Sequence, residues 1–313
     1  MPALITHNTF GRLAYGQVKS QVGLSEEAQR AFLLGNQGPD PLFSAMGILG
    51  LRPWRHLGHD MHVEKPVELL AHLEEACSDL PEPERTIVRA WAAGFLCHYA
   101  LDSNAHPLIY RQEYDFCDAG VPGLGRDNAS EVHGAIEADL DEAALFLTSN
   151  ATIADVKPWK LLESLPQRAA SAISEAVSAL ADSVYGTSIP RSMYRRCARA
   201  FRYLQHLLYT PDNGKRAVLS TMEHAVRGKS LYNAMAWQDC AHADSVFDNA
   251  AHAPWRNPFT NEETDASFVD LFFQAEEEAK LLIEAFSDHA LDEVCARELS
   301  GGLNFNGAPT AAA

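Results

Sequence analysis

The stretch from Gly94 to Pro107, reading G-F-L-C-H-Y-A-L-D-S-N-A-H-P, constrains this chain more than any other. It sets His98, Asp102 and His106 at successive intervals of four residues in an otherwise apolar run that follows Trp91, Ala92 and Ala93. On a helix, residues four apart stack on one face, so the three side chains form a single stripe. Such a stripe reads either as satisfied core histidines with an ordinary His/Asp pair, or as a metal-binding surface. An ionised Asp is costly to bury unless a cation or hydrogen-bond donors compensate it. The rest of the chain decides between the two.

At 313 residues and 47% apolar composition, the chain can bury one large core or two closely packed ones. Its formal charge of -17, from 42 acidic and 25 basic residues, repels phosphate backbones and speaks against a nucleic-acid-coating role. Bound divalent ions would offset part of that charge. The six cysteines are scattered with no C-x-x-C, as expected of buried apolar residues in a reducing compartment. The N-terminus lacks a basic region followed by an apolar run, and no segment reaches the length of a membrane span, so the expectation is a cytoplasmic protein with no transmembrane segment.

No segment shows convincing strand alternation, and the chain reads as all-α. A first helix starts with Thr6 as N-cap and His7 in its first turn, and a second runs from Ser25-Glu26-Glu27 to Gly35. The loop Gly35-Asn36-Gln37-Gly38-Pro39-Asp40-Pro41 holds Asp40 between two prolines, as a turn residue or as a carboxylate delivered into a site. Between Trp54 and His62 stand three histidines and an aspartate, with Gly58 to His62 read as a loop entering a helix. Pro66 opens a further helix, and the one carrying the opening stripe begins near Glu84. Pro107 disfavours helical geometry at His106, so that helix is expected to end near Ser103 or Asn104. Residues 111–130 read as a long loop, before a helix from Asn128 or Ser130 that carries His133 and Glu137, again four apart.

Beyond Asn150 helical patterns continue at about 159–183, 190–209, 214–228 and 267–297, with few His/Asp pairings. His206, His224 and His289 stand isolated, and His242 and His252 flank a surface strap ending in P-W-R-N-P-F-T. The expected organisation is a metal-site helical domain over 1–150, a helical half over 151–299 that packs on it or continues it, and a flexible Gly/Ala/Asn-rich tail over 300–313.

Eight of the thirteen histidines fall within the first 133 residues. Zinc takes imidazole and carboxylate ligands, about three per catalytic site. His7, His62, His98, Asp102, His106, His133 and Glu137 are too many for one ion and suit two or three. Clustered divalent ions neutralise phosphoryl oxygens and activate water, so phosphoester hydrolysis is the leading chemistry.

The ordered set Thr6-His7, the G-N-Q-G-P-D run ending at Asp40, Gly58-x-x-x-His62, His98-x-x-x-Asp102-x-x-x-His106-Pro107 and His133-x-x-x-Glu137 resembles the zinc-dependent phospholipase C family over about residues 5–147. The resemblance implies an all-helical bundle, shared with single-strand nucleases, that binds up to three zinc ions. It implies that His62, His98 and Asp102 hold one ion, with Asp102 bridging to a second that also uses His7. It assigns His106, His133 and Glu137 to the remaining ion, and Asp40 contacts to the metal centre and the role of general base. Secreted members use a processed N-terminal residue as a ligand, whereas six residues precede His7 here, so two ions remain as open as three. His59 competes with His62 as ligand. The implied substrate is a phosphodiester, with phospholipid among the candidates. Rival readings are a nuclease or small-molecule phosphodiesterase, a His59-Asp60 helical phosphohydrolase, and an inactive metal-stabilised scaffold.

Overall fold

The structure, a computed structural model, describes residues 4–78, 80–122, 125–162, 164–209 and 245–310. The expected helix over 214–228, with His224, His242 and Cys240, lies outside the described residues. The regular elements described are helices apart from a ribbon in the Pro-Trp-Arg strap, where β1 (Trp255–Arg256) pairs antiparallel with β2 (Glu263–Thr264).

The chain divides into two compact units. One comprises Phe10–Asn104, Leu162–Arg202 and Phe272–Ala313, the other Met1–Thr9, Ala105–Leu161 and Tyr203–Leu271. The long helix α6 (Glu84–Cys117) gives its residues up to Asn104 to one unit and those from Ala105 to the other.

The unit built on Phe10–Asn104 has a core of Phe10, Phe32, Trp91, Phe95, Tyr99, Tyr194, Phe201 and Phe286, all fully buried. Each such side chain contributes about 1.5–3 kcal/mol over leaving it in water. Within it, α2 (Glu26–Gly35) is capped by Ser25, whose hydroxyl accepts the Ala28 N–H at 3.1 Å. Gly35 ends α2 inside the helix rather than beyond it, where α2 meets α6 backbone to backbone. A Cβ on Gly35 would lie 1.9 Å from the Trp91 carbonyl oxygen, and one on Gly94 would lie 2.0 Å from that of Phe32. This crossing lays the loop after α2 against α6, and that loop carries Asp40 into a 3₁₀ segment, Asp40–Gly47.

His62 lies in the last turn of α3 (Leu57–Val63), so the segment expected as a loop is helical from Leu57. The helix opened by Pro66 breaks into α4 (Pro66–Ala71) and α5 (Glu75–Ser78). The unit is completed by residues of α9 (Gln167–Tyr185), α10 (Met193–Leu208), α11 (Phe268–Ser287) and α12 (Glu293–Ser300).

Two expectations fail for identifiable reasons. α6 does not stop at Ser103 but passes through Pro107 to Cys117. Proline deletes one helical hydrogen bond, and here the burial of Ala105, Leu108 and Ile109 around it offsets that loss. Residues 301–310, expected as a flexible tail, fold back through a Leu303–Pro309 bridge. Phe305 is fully buried, and its N–H donates to the His62 carbonyl at 3.0 Å, satisfying an end of α3.

In the other unit, the start of α1 (Leu4–Val22) docks on α7 (Ala129–Ser149). Asp141 accepts the Ile5 and Thr6 N–H groups at 3.2 and 2.8 Å, so a buried carboxylate from another helix, not the Thr6 hydroxyl, holds the first turn. α8 (Pro158–Leu161) follows, with its Leu161 carbonyl accepting Asn8 Nδ2 at 3.1 Å.

Candidate metal sites

In the Phe10–Asn104 unit the structure brings together Asp40, His62, His98 and Asp102, all buried. His98 Nε2 lies 3.1 Å from Asp102 Oδ2, and His62 Nε2 lies 3.7 Å from the same carboxylate and 3.3 Å from Asp40 Oδ1. Both imidazoles are oriented from behind. His98 Nδ1 donates to the Asn36 carbonyl at 3.3 Å, and His62 Nδ1 to the Gly58 carbonyl at 2.6 Å. A carbonyl only accepts, so each ring carries a proton on Nδ1 and presents Nε2 to the carboxylates. The Gly58-to-His62 spacing thus has a physical basis, one helical turn closed by the ring itself. His59 is exposed, and the structure turns only His62 into the group.

The loop bearing Asp40 is held by a relay. Trp91 Nε1 donates to the Tyr194 hydroxyl at 3.3 Å, and that hydroxyl donates to the Gly38 carbonyl at 3.0 Å. Phe43 and Phe305 stand 5.3 and 5.2 Å from the His62 ring and wall the site with apolar surface. Burial acts to raise the Asp40 pKa, but the hydrogen bond from His62 and the charges of His98 and His62 outweigh it, and the carboxyl is held below its ordinary value.

The other unit holds a second group, His106, His133 and Glu137. Glu137 Oε1 lies 3.6 Å from His106 Nε2 and 3.4 Å from His133 Nε2, with the two rings 5.6 Å apart. Burial would raise the Glu137 pKa, yet the charge of His133 and the hydrogen bonds from His106 and His133 hold it well below the usual carboxylate range. Burial works against a charged His133, but Glu137 and Glu113 prevail and raise its pKa.

Zinc bonded at about 2.1 Å to nitrogen and oxygen separates neighbouring donors by roughly 3.4 Å. The spacings above bracket that value, and in each triad (His62, His98, Asp102; His106, His133, Glu137) the donor atoms lie within 4.8 Å of one another. The donor chemistry and the geometry therefore both fit zinc. His7 is buried in α1 of the second unit.

Three residues that shape these sites carried no motif. Glu113 lies seven residues after His106, on the continuation of the same stripe, and Asp141 lies four after Glu137. Phe305 had no signal beyond being an aromatic residue in a Gly/Asn-rich tail. Of the isolated histidines, two lie among the described residues: His206 packs edge-on against Trp159 at 4.3 Å, and His289 Nδ1 lies 2.8 Å from the Glu74 carboxylate. Cys77, Cys97, Cys117 and Cys197 are buried free thiols, as expected of apolar filling, and Cys295 is a partly exposed one.

An all-helical scaffold with two imidazole–carboxylate triads on its helices defines a class, the helical metalloproteins with more than one candidate metal site. The family model for zinc dependent phospholipase C matches residues 6–185, more than half of the 313-residue chain. The chain belongs to the zinc-dependent phospholipase C family, whose activity is hydrolytic and whose substrates are of the phospholipid type. No curated protein and no solved structure matches it. Among the described residues, no helix is long and apolar enough to cross a membrane.

Proposed function

We propose that this chain is a zinc-dependent phosphodiester hydrolase of the phospholipase C kind, acting on a phospholipid by attack of water. The observation that carries the reading is the pair of triads, each at zinc spacing and each with imidazole Nε2 atoms facing a carboxylate. Zinc bound there would supply Lewis acidity toward the phosphoryl oxygens and toward water.

The chain's own residues supply the rest. His62, His98 and Asp102 hold one ion, and His106, His133 and Glu137 another. His7 joins the proposed ligands on its sequence motif, which leaves the count at two or three ions. Asp40, kept ionised beside His62, is the proposed general base that takes the proton of the attacking water. The apolar wall of Phe43 and Phe305 limits competing water around that carboxylate. The charge of -17 favours a small lipid phosphodiester over a polyanionic strand. A reducing, cytoplasmic setting is part of the same proposal and rests on the free, dispersed cysteines.

The test is hydrolysis of phosphatidylcholine, bis-p-nitrophenyl phosphate and single-stranded DNA by wild type and Asp40→Asn. Wild type is expected to release the headgroup phosphate ester from phosphatidylcholine. Asp40→Asn should retain zinc and lose about 10²–10⁴ in rate. Cleavage of DNA alone would assign a nuclease, no cleavage of any substrate a scaffold, and an unchanged Asp40→Asn would remove Asp40 from the base role.

A further inference from the structure

His133 is held from both sides by carboxylates. Its Nε2 faces Glu137 Oε1 at 3.4 Å, and its Nδ1 lies 2.9 Å from Glu113 Oε2. Glu113 is 5% exposed, projects from α6 two turns beyond His106, and belongs to neither metal triad. The other oriented imidazoles, His62 and His98, rest on neutral backbone carbonyls, whereas His133 alone among these three rests on a charged acceptor. A buried carboxylate at this place is costly unless a donor compensates it, and the imidazole N–H is that donor.

We infer that Glu113 is a positioning residue for the second metal group: it fixes the proton of His133 on Nδ1, aims the Nε2 lone pair at the ion, and makes that nitrogen a stronger donor. The inference rests on the zinc reading given above. A carboxylate accepts only, so the hydrogen bond has one polarity, and the electron density it lends the ring increases the basicity of the ligating nitrogen. The effect is local to one ion. In the triad of His62, His98 and Asp102, the Nδ1 atoms of the two imidazoles rest instead on the neutral Gly58 and Asn36 carbonyls.

Wild type, Glu113→Gln and Glu113→Ala are loaded with zinc and challenged with a graded chelator, and bound zinc is measured at each step. In parallel the downfield Nδ1 proton of His133 is followed by NMR in the loaded proteins. Removing such an outer partner weakens metal binding by about 10–100-fold. Glu113→Ala should release one equivalent at correspondingly lower chelator and lose the His133 Nδ1 proton signal. Glu113→Gln, whose amide oxygen still accepts, should keep the signal and fall between the other two in affinity. The remaining zinc should hold as in wild type in both variants, which also reports that they are folded. Wild-type retention in both variants, or an equal loss of every equivalent, overturns the inference. A wild type that never loads the second group overturns the proposed function and this inference with it.

Discussion

Adding one methyl group at Gly38 should empty the first metal group. Gly38 has φ +48°, and a Cβ there would lie 2.2, 2.5 and 2.7 Å from Cδ2, Cγ and Nε2 of the His98 ring. Relaxed carbon contacts sit at roughly 3.5–4.0 Å, so ring or loop must retreat by more than about 1 Å. The ring has nowhere to go: His98 is fully buried, with the His62 and Phe305 rings 5.7 and 5.8 Å away. Its hydrogen bond to the Asn36 carbonyl, already 3.3 Å, would be lost with the aim of Nε2. Overpacking of this kind costs about 1–3 kcal/mol, and a left-handed conformation costs a non-glycine residue about 1–2 kcal/mol more. At about 2–4 °C per kcal/mol, thermal denaturation should show a fall in Tm on the order of 5–15 °C. Metal analysis should show the loss of one zinc equivalent. A Gly38→Ala protein with wild-type zinc content and wild-type Tm would refute the contact between loop and ring on which the site's geometry depends.

Three further substitutions probe the surroundings of the sites. Asp141→Ala strips the acceptor from two backbone N–H groups at the start of α1, and should cost about 2–4 kcal/mol in denaturant unfolding; a loss below 1 kcal/mol would show that water replaces it. Phe305→Ala removes a fully buried ring from beside His62 and His98, and should cost about 3–5 kcal/mol and loosen zinc at that group, whereas a flexible tail would leave both unchanged. Glu278 is the pH-dependent case: burial pushes its carboxyl up to about 7 against a bond from Asn104 that lowers it. An acid raised in the folded state is ionised first in the unfolded chain, so its contribution to stability falls as pH rises from 4.5 to about 7 and stays low above that. Glu278→Gln should therefore stabilise the protein at pH 8 by on the order of 1–3 kcal/mol and change little at pH 4; equal effects at both would reject the burial argument.

Much of the histidine–carboxylate pattern was legible because helical spacing converts directly into geometry. His98 and Asp102, and His133 and Glu137, meet as the four-residue interval requires, and His62 follows from the same rule applied to Gly58. Asp40 was legible as a rigidly held carboxylate, though its placement depends on the Gly35–Gly94 crossing, a long-range packing event with no local signature. Pro107 misled because a local backbone preference was outweighed by burial on both sides of it. Glu113 and Asp141 were missed since a single acid on a helix is ordinarily solvated, and only the fold shows that these two face donors. The tail misled through composition: one Phe among Gly and Asn is enough to fasten it when the rings of His62, Phe95 and Tyr99 enclose it.

The central claim is that these triads are metal sites, and metal analysis of the purified protein tests it most directly. Two or three zinc equivalents per chain are expected, with one lost in His98→Ala and a different one lost in His133→Ala. One equivalent or none in the wild type, under conditions where the protein is folded, would contradict the account.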